Sequence, residues 1–288
     1  MAAMHTTINT VTLVVKEGHE KARQLAQDIR TWLHSQAIQV HVVTNGVDCV
    51  ILEPGKDQPD IVMVLGGDGT MLSVARKING HAIPMLGVNL GHVGFLTETN
   101  PATWQDMLSL VLAGRASMSS RVVLNYTLYR QGETAPSCTG KAFNDLVVNR
   151  GELARLINLD VAYGPHDHWH VRADGLIVST PTGSTGYCVS AGGPLVYPDF
   201  EVFVITPVCP FLHPMPPLVL PFDYPLMMTV LSNNQEVYLT QDGQKGMALY
   251  QGDRIEITRA KTRIRLIHAA TSSYIAKLKT TGFIRYQP

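Results

Sequence analysis

The residues best equipped for chemistry begin at Gly66-Gly67-Asp68-Gly69-Thr70, a turn that follows the apolar run Ile61 to Leu65. Glycines let a backbone turn sharply and leave its amides clear of side-chain bulk. Amides of that kind at the start of a helix form an anion site suited to phosphates. Gly66, Gly67, Gly69 and Thr70 are therefore candidate phosphate ligands. An Asp in the middle of such a loop would repel a phosphate unless it has a task. Asp68 could accept the proton of an attacking hydroxyl, or it could help to hold Mg²⁺ beside the phosphates. The plainer alternative is a Gly-rich turn in which Asp68 only caps a helix. The turn is not the G-x-G-x-x-G of dinucleotide-binding folds, and without G-K-[ST] it is not a P-loop.

Further polar clusters lie downstream. Gly87-Val88-Asn89-Leu90-Gly91-His92-Val93-Gly94-Phe95-Leu96 follows the next apolar run, and its glycines leave room for a ligand near the backbone. Phe143-Asn144-Asp145 offers an amide and a carboxylate side by side at the start of a strand. The segment Arg172-Ala173-Asp174-Gly175-Leu176-Ile177-Val178-Ser179-Thr180-Pro181-Thr182-Gly183-Ser184-Thr185-Gly186-Tyr187 is dense in small residues and hydroxyls. Such a run suits a polar, planar ligand, with hydroxyls for hydrogen bonds and Tyr187 for stacking.

These clusters need elements to position them. Val11 to Val15, Val40 to Val43, Ile61 to Leu65 and Pro84 to Val88 read as strands. Between the first two, Ala22, Leu25, Ala26, Ile29 and Leu33 fall on one face of a helix over residues 17–36. Continuous apolar strands alternating with helices predict an open, mostly parallel α/β sheet. Asn100-Pro101 is expected to start a helix as N-cap and first helical residue. From Arg121 onward short strands recur between Gly, Pro and Asn, which predicts an all-β domain. The expected division is an α/β domain over 1–116, a β-rich domain over 117–271, and a segment over 272–288 whose helix packs back on the first domain.

Taken together, the motifs resemble the NAD kinase family. The G-G-D-G-T turn, the G-V-N-L-G-x-x-G-F-L segment, the N-D pair, the D-G-L-I-V-S-T-P-T-G-S-T-G-Y segment and Asp242-Gly243-Gln244 stand in the family's order and spacing, covering nearly the whole chain. The resemblance implies transfer of a phosphate from ATP, or polyphosphate, to the 2′-hydroxyl of the adenosine ribose of NAD. It implies Asp68 as general base, with Mg²⁺ or another divalent metal accompanying ATP and no metal ligands assigned among the side chains. It places Asp68, Gly69, Phe95, Asn144, Asp145, Arg155, Arg172, Asp174, Thr185, Gly186, Tyr187, Cys188, Val189, Ser190 and Gln244 around NAD. It implies a β-sandwich-like second domain, and a homodimer or homotetramer with shared sites. A lipid kinase sharing the G-G-D-G turn and an NAD(H) sensor without turnover are the alternatives. The chain departs from the family pattern at Gly186, at Leu90 and most of all between Pro207 and Leu220, where prolines replace a Ser and an Arg. His213 is the candidate substitute in that loop.

Composition narrows the field. Lys+Arg and Asp+Glu balance at 23 each, giving no global reason to bind nucleic acid or an anionic membrane. The 4 cysteines form no C-x-x-C pair, which argues against a zinc knuckle and suits a reducing compartment. Met1 to Thr10 resembles neither a secretory signal nor a membrane span, so the expected location is the cytoplasm. His166, His168 and His170 would share one face of a strand, but no further ligand is evident.

Overall fold

The computed structural model describes residues 2–3, 7–46, 50–52, 58–78, 81–91, 94–151, 156–212, 214–232 and 236–284. It divides into two units, residues 1–121 with 262–288, and residues 122–261.

The first unit runs β1 (Ala2–Ala3), β2 (Thr10–Lys16), α1 (Glu20–Ser35), β3 (Gln39–Asn45), β4 (Ile61–Leu65), α2 (Asp68–Lys77), β5 (Pro84–Val88), α3 (Trp104–Leu112) and β6 (Ser117–Arg121). The expected apolar face of α1 is the buried one. The helix starts after His19, whose side chain accepts the Ala22 amide at 3.2 Å. Helix α3 starts at Trp104 rather than at Pro101. The Asn100 carboxamide accepts the Ala102 amide at 2.8 Å and closes a turn of its own, so Thr103 becomes the N-cap.

The second unit contains β7 (Leu124–Tyr129), β8 (Cys138–Ala142), β9 (Asp145–Arg150), β10 (Ile157–Tyr163), β11 (Asp167–Ala173), β12 (Gly175–Ser179), a 3₁₀ turn (Thr182–Thr185) and α4 (Tyr187–Ser190). It continues with β13 (Val202–Val208), β14 (Leu218–Pro221), β15 (Leu226–Val230), β16 (Val237–Gln241), β17 (Lys245–Leu249) and β18 (Arg254–Arg259). Two six-stranded sheets, β11-β10-β15-β18-β7-β8 and β14-β13-β12-β9-β16-β17, are antiparallel throughout. Leu128, Leu159 and Met228 of one sheet share a core with Leu146, Leu176 and Phe203 of the other, as in a sandwich.

The chain then returns to the first unit as β19 (Ile264–His268) and α5 (Tyr274–Thr280). That unit's seven-stranded sheet has the order β1-β6-β19-β5-β4-β2-β3. From β19 to β3 it is parallel, and β4 at its centre is buried on both faces. The α/β-plus-β architecture and the returning helix are as expected. The boundaries differ, because the chain changes sheet between Arg121 and Leu124 rather than at residue 117. Residues up to Arg121 pair with β19 in the first sheet, and Leu124 onward pairs with β18 in the second unit. A strand's own pattern does not tell it which sheet to join.

Candidate functional site

In the parallel sheet, the chain runs from β2 outward to β3 and then crosses back to β4 on the other side of β2. The carboxyl ends of β2 and β4 therefore flank a topological switch point, where open α/β sheets bind ligands. The Gly66-Thr70 turn stands there. Gly67 is the N-cap of α2, and Asp68 is the first residue of that helix. A Cβ on Gly66 would come within 2.4 Å of the Thr70 hydroxyl, so only glycine fits. At Gly67 and Gly69 a Cβ would meet nothing within 4 Å, which leaves open space over the amides.

The Asp68 side chain reaches the second glycine-rich segment. One carboxylate oxygen accepts the Phe95 amide at 2.8 Å, and the other accepts the Leu96 amide at 3.1 Å. Each oxygen keeps a second lone pair for a further donor. Gly94 makes this approach possible, since a Cβ there would stand 2.2 Å from an Asp68 oxygen. Gly94→Ala is expected to push the carboxylate aside by roughly 1 Å and lower kcat about 10²-fold. Turnover measured beside the melting temperature checks this, and an unchanged kcat would remove the close approach from the argument. His92 and Val93 lie outside the described residues.

In the second unit, Asn144, Asp145, Asn149, Tyr187 and Asp242 line a cavity of about 390 Å³. The hairpin between β16 and β17 turns at Asp242 and Gly243, both at positive φ (47° and 62°). Asp242 tolerates that conformation as Asp does. Its carboxylate accepts the amides of Phe143, Asn144 and Asp145 at 3.0, 2.7 and 3.2 Å. The hydroxyl-rich segment holds the same residues from the other side. Thr180 donates its amide to the Asn144 carbonyl and its hydroxyl to the Phe143 carbonyl. Gly183 lies so close that a Cβ would be 2.2 Å from the Asn144 oxygen. The buried side-chain oxygens of Asn144 and Asn149 have no hydrogen-bond partner among the described residues. Buried acceptors left in a cavity wall suit a polar ligand.

Asp145 is 5% exposed, and burial, then the Asp242 charge, push its carboxyl up to about 7. An unfolded chain ionises it near 3.8. The stability it contributes is therefore complete below about pH 4 and is lost as pH rises through about 7. Relative to the wild type, Asp145→Asn should melt higher at about pH 8 than at about pH 5. Equal differences at both pH values would contradict the raised pKa.

The remaining expected residues divide. Tyr187 is 47% exposed at the cavity and free to stack. Thr185 donates to the Thr182 carbonyl, and Ser190 is exposed and donates to the Gly186 carbonyl. Gly186 is half-buried between the 3₁₀ turn and α4, with a Cβ position 3.3 Å from the Gly183 oxygen. Val189 is half-buried in α4. Cys188 instead sits in a core cluster with Val147 and Val204, its thiol 3.3 Å from the Thr206 hydroxyl and its pKa pushed up by burial. Asp174 pairs with Arg150 at 2.7 Å. The Arg172 guanidinium lies over the Phe211 ring at 5.4 Å, and the Arg172 carbonyl accepts the Phe211 amide. The Pro-rich departure loop thus rests on Arg172. Gln244 closes the hairpin turn through its amide to the Gln241 carbonyl. Arg155 and His213 lie outside the described residues.

Asp242 and Arg150 were missed as single residues in the sequence. The signal for Asp242 was its place in the Asp242-Gly243-Gln244 turn, whereas Arg150 carries no local signal. His168 and His170 are exposed on β11, and His170 lies 3.4 Å from Asp160. No group of three or more potential metal-ligating side chains occurs among the described residues. Nor is any described helix long and apolar enough to cross a membrane.

The carboxylate at the switch point of the first unit stands beside a helix start suited to phosphate, and the cavity of the second unit offers polar groups suited to a nucleotide. The sequence matches the ATP-NAD kinase N-terminal domain over residues 11–116 and the ATP-NAD kinase C-terminal domain over residues 143–269. It is 46% identical to the NAD kinase of Nitratidesulfovibrio vulgaris (strain DSM 19637 / Miyazaki F), over 99% of this chain and 100% of that one. It is 39% identical to the NAD kinase of Geobacter metallireducens, over 94% and 96% of the two chains. The chain belongs to the NAD kinase family. The fold is also that of yeast NADH kinase, crystallised with NADH, at a TM-score of 0.86 and 24% identity over 99% of this chain and 90% of that one. An Archaeoglobus fulgidus NAD kinase, crystallised with ATP, aligns at a TM-score of 0.74 and 22% identity over 94% and 99%.

Proposed function

We propose that the chain transfers the terminal phosphate of ATP to the 2′-hydroxyl of the adenosine ribose of NAD, giving NADP, with Asp68 as the general base. ATP-dependent phosphorylation of NAD is the activity of the family to which it belongs. The observation that carries the role of Asp68 is its anchoring by the Phe95 and Leu96 amides. A ribose hydroxyl is a poor nucleophile at neutral pH, and a fixed carboxylate can take its proton as the P–O bond forms.

The start of α2 at Gly67 favours the phosphate charge, whereas the expected amides of Gly66 and Thr70 are taken by the carbonyls of Val88 and Gly67 and are not available to phosphate. Asn144 and Asp145 hold the adenosine part, Tyr187 stacks on the base, and Thr185, Gly186, Val189 and Ser190 complete that wall, with Cys188 in the core behind it. Asp174 and Arg172 face the nicotinamide end, and Phe95, Arg155 and Gln244 are the further contact residues. The donor set suits Mg²⁺ that arrives on ATP. Mg²⁺ keeps several waters and needs only one or two carboxylates beside phosphate oxygens. When bound, the ion neutralises phosphate charge. The enzyme is read as cytoplasmic and as a homodimer or homotetramer with shared sites. The full-length match to NAD kinases disfavours a lipid kinase or a sensor without turnover.

The test supplies the purified protein with Mg²⁺, NAD⁺ and ATP or polyphosphate, and detects NADP⁺ with an NADP-specific dehydrogenase. NADP⁺ formation is expected with ATP. Binding of NAD⁺ with no NADP⁺ from either donor would sink the kinase reading in favour of a sensor.

A further inference from the structure

The peptide that anchors Asp68 is itself held from the far side by the returning C-terminal segment. Lys277 of α5 donates to the carbonyls of Phe95 and Thr97 at 3.4 and 3.2 Å, and its ammonium lies 2.8 Å from the Glu98 carboxylate. Glu98 also accepts the Ala269 amide and the Ser272 hydroxyl at 3.0 and 3.2 Å. Its side chain is only 8% exposed and that of Lys277 24%. The Phe95 ring packs against Tyr274 and Phe283, with centroids 6.5 and 5.7 Å apart. Residues 95–98 therefore have two faces. Their amides at 95 and 96 point to Asp68, and their carbonyls at 95 and 97 point to Lys277.

We infer that Lys277 is a positioning residue for Asp68, acting through the 95–98 peptide that it clamps. The inference rests on the reading of Asp68 as the base. One ammonium has three donors, and here they converge on two carbonyls and a carboxylate. Removing it strands a mostly buried Glu98 and frees the Phe95 carbonyl, whose peptide plane carries the Leu96 N–H that anchors Asp68. A displacement of roughly 1 Å at a reacting group can cost about 10²-fold in rate. A helix that served only to cover the sheet would not need an ammonium on this loop.

The experiment compares the full chain with Lys277→Met, Lys277→Arg, Asp68→Asn and the Asp68→Asn/Lys277→Met double variant, reading kcat and KM for NAD in NADP⁺ formation. Lys277→Met is expected to lower kcat about 10- to 100-fold with KM for NAD within about twofold. Lys277→Arg should recover most of the loss. In the Asp68→Asn background, Lys277→Met should add little, because the two act as one unit. A Lys277→Met/Glu98→Gln variant removes the stranded charge, and should keep the kcat loss with a melting temperature nearer the wild type. Equal fractional losses in both backgrounds, or a wild-type kcat for Lys277→Met beside a crippled Asp68→Asn, overturn the inference alone. A wild-type kcat for Asp68→Asn overturns the assignment of the base and the inference with it.

Discussion

Asp68→Asn is expected to lower the turnover of NAD phosphorylation about 10²- to 10⁴-fold, the range over which a general base contributes. Asn keeps the size and one acceptor of the native side chain. It loses the site that takes the ribose proton. One of the two anchors changes as well, because an amide nitrogen would face either the Phe95 or the Leu96 N–H instead of accepting it. Affinity for NAD, measured by calorimetry without a phosphate donor, should move by no more than about threefold, since the carboxylate acts on the transition state and not on uniform binding. A loss of kcat with retained binding is thus the signature of the base. Near-normal turnover would sink the role, whatever the binding did. Equal loss of binding and turnover would instead mark Asp68 as a strut for the 94–96 segment.

The fold was largely legible because its signals are local. The buried run Ile61 to Leu65 and the helical spacing from Ala22 to Leu33 each declare a period and a face, and both were realised. Strand membership was not local. Ile264 to His268 has the pattern of any strand, and only its pairing with Met85 and Ser119 shows that it belongs to the first sheet. The site shows the same contrast. Gly66 to Thr70 announces an anion site through composition alone. That Asp68 is held by amides nearly thirty residues away depends on Gly94, whose sequence context says only that the chain turns. Cys188 illustrates the opposite error. It stands between Tyr187 and Val189, yet a helical turn sends its side chain into the core and leaves Tyr187 outward. Neighbours in a motif need not share a wall.

The second large effect is expected at Asp242, outside the set of residues first assigned to the site. Its carboxylate is the acceptor for three successive amides, those of Phe143, Asn144 and Asp145. Successive amides that converge form an anion-binding nest, here filled by the protein's own side chain. Asp242→Ala empties it. Each buried donor left unmatched costs about 1–3 kcal/mol, and water entering from the adjoining cavity offsets part of that. Ala also fits the positive φ at this position less well than Asp, by about 1 kcal/mol. One term opposes these losses, because Asp145 is relieved of a like charge that helps to raise its pKa. The amide term dominates, since three donors are stranded against one repulsion. A net destabilisation of about 3 kcal/mol corresponds to a fall in melting temperature of roughly 5–10 °C for a protein of this size. NAD affinity should fall at least about tenfold, because the nest sets where Asn144 and Asp145 point. Asp242→Asn separates shape from charge. It keeps an oxygen that can accept and removes the repulsion, so it should melt between the wild type and Ala and retain more of the NAD affinity. Calorimetric melting and NAD titration of both variants decide the matter. An Ala variant with wild-type melting and affinity would mean that the Asn144-Asp145 pair is fixed by Thr180 and Gly183 alone, with the nest incidental.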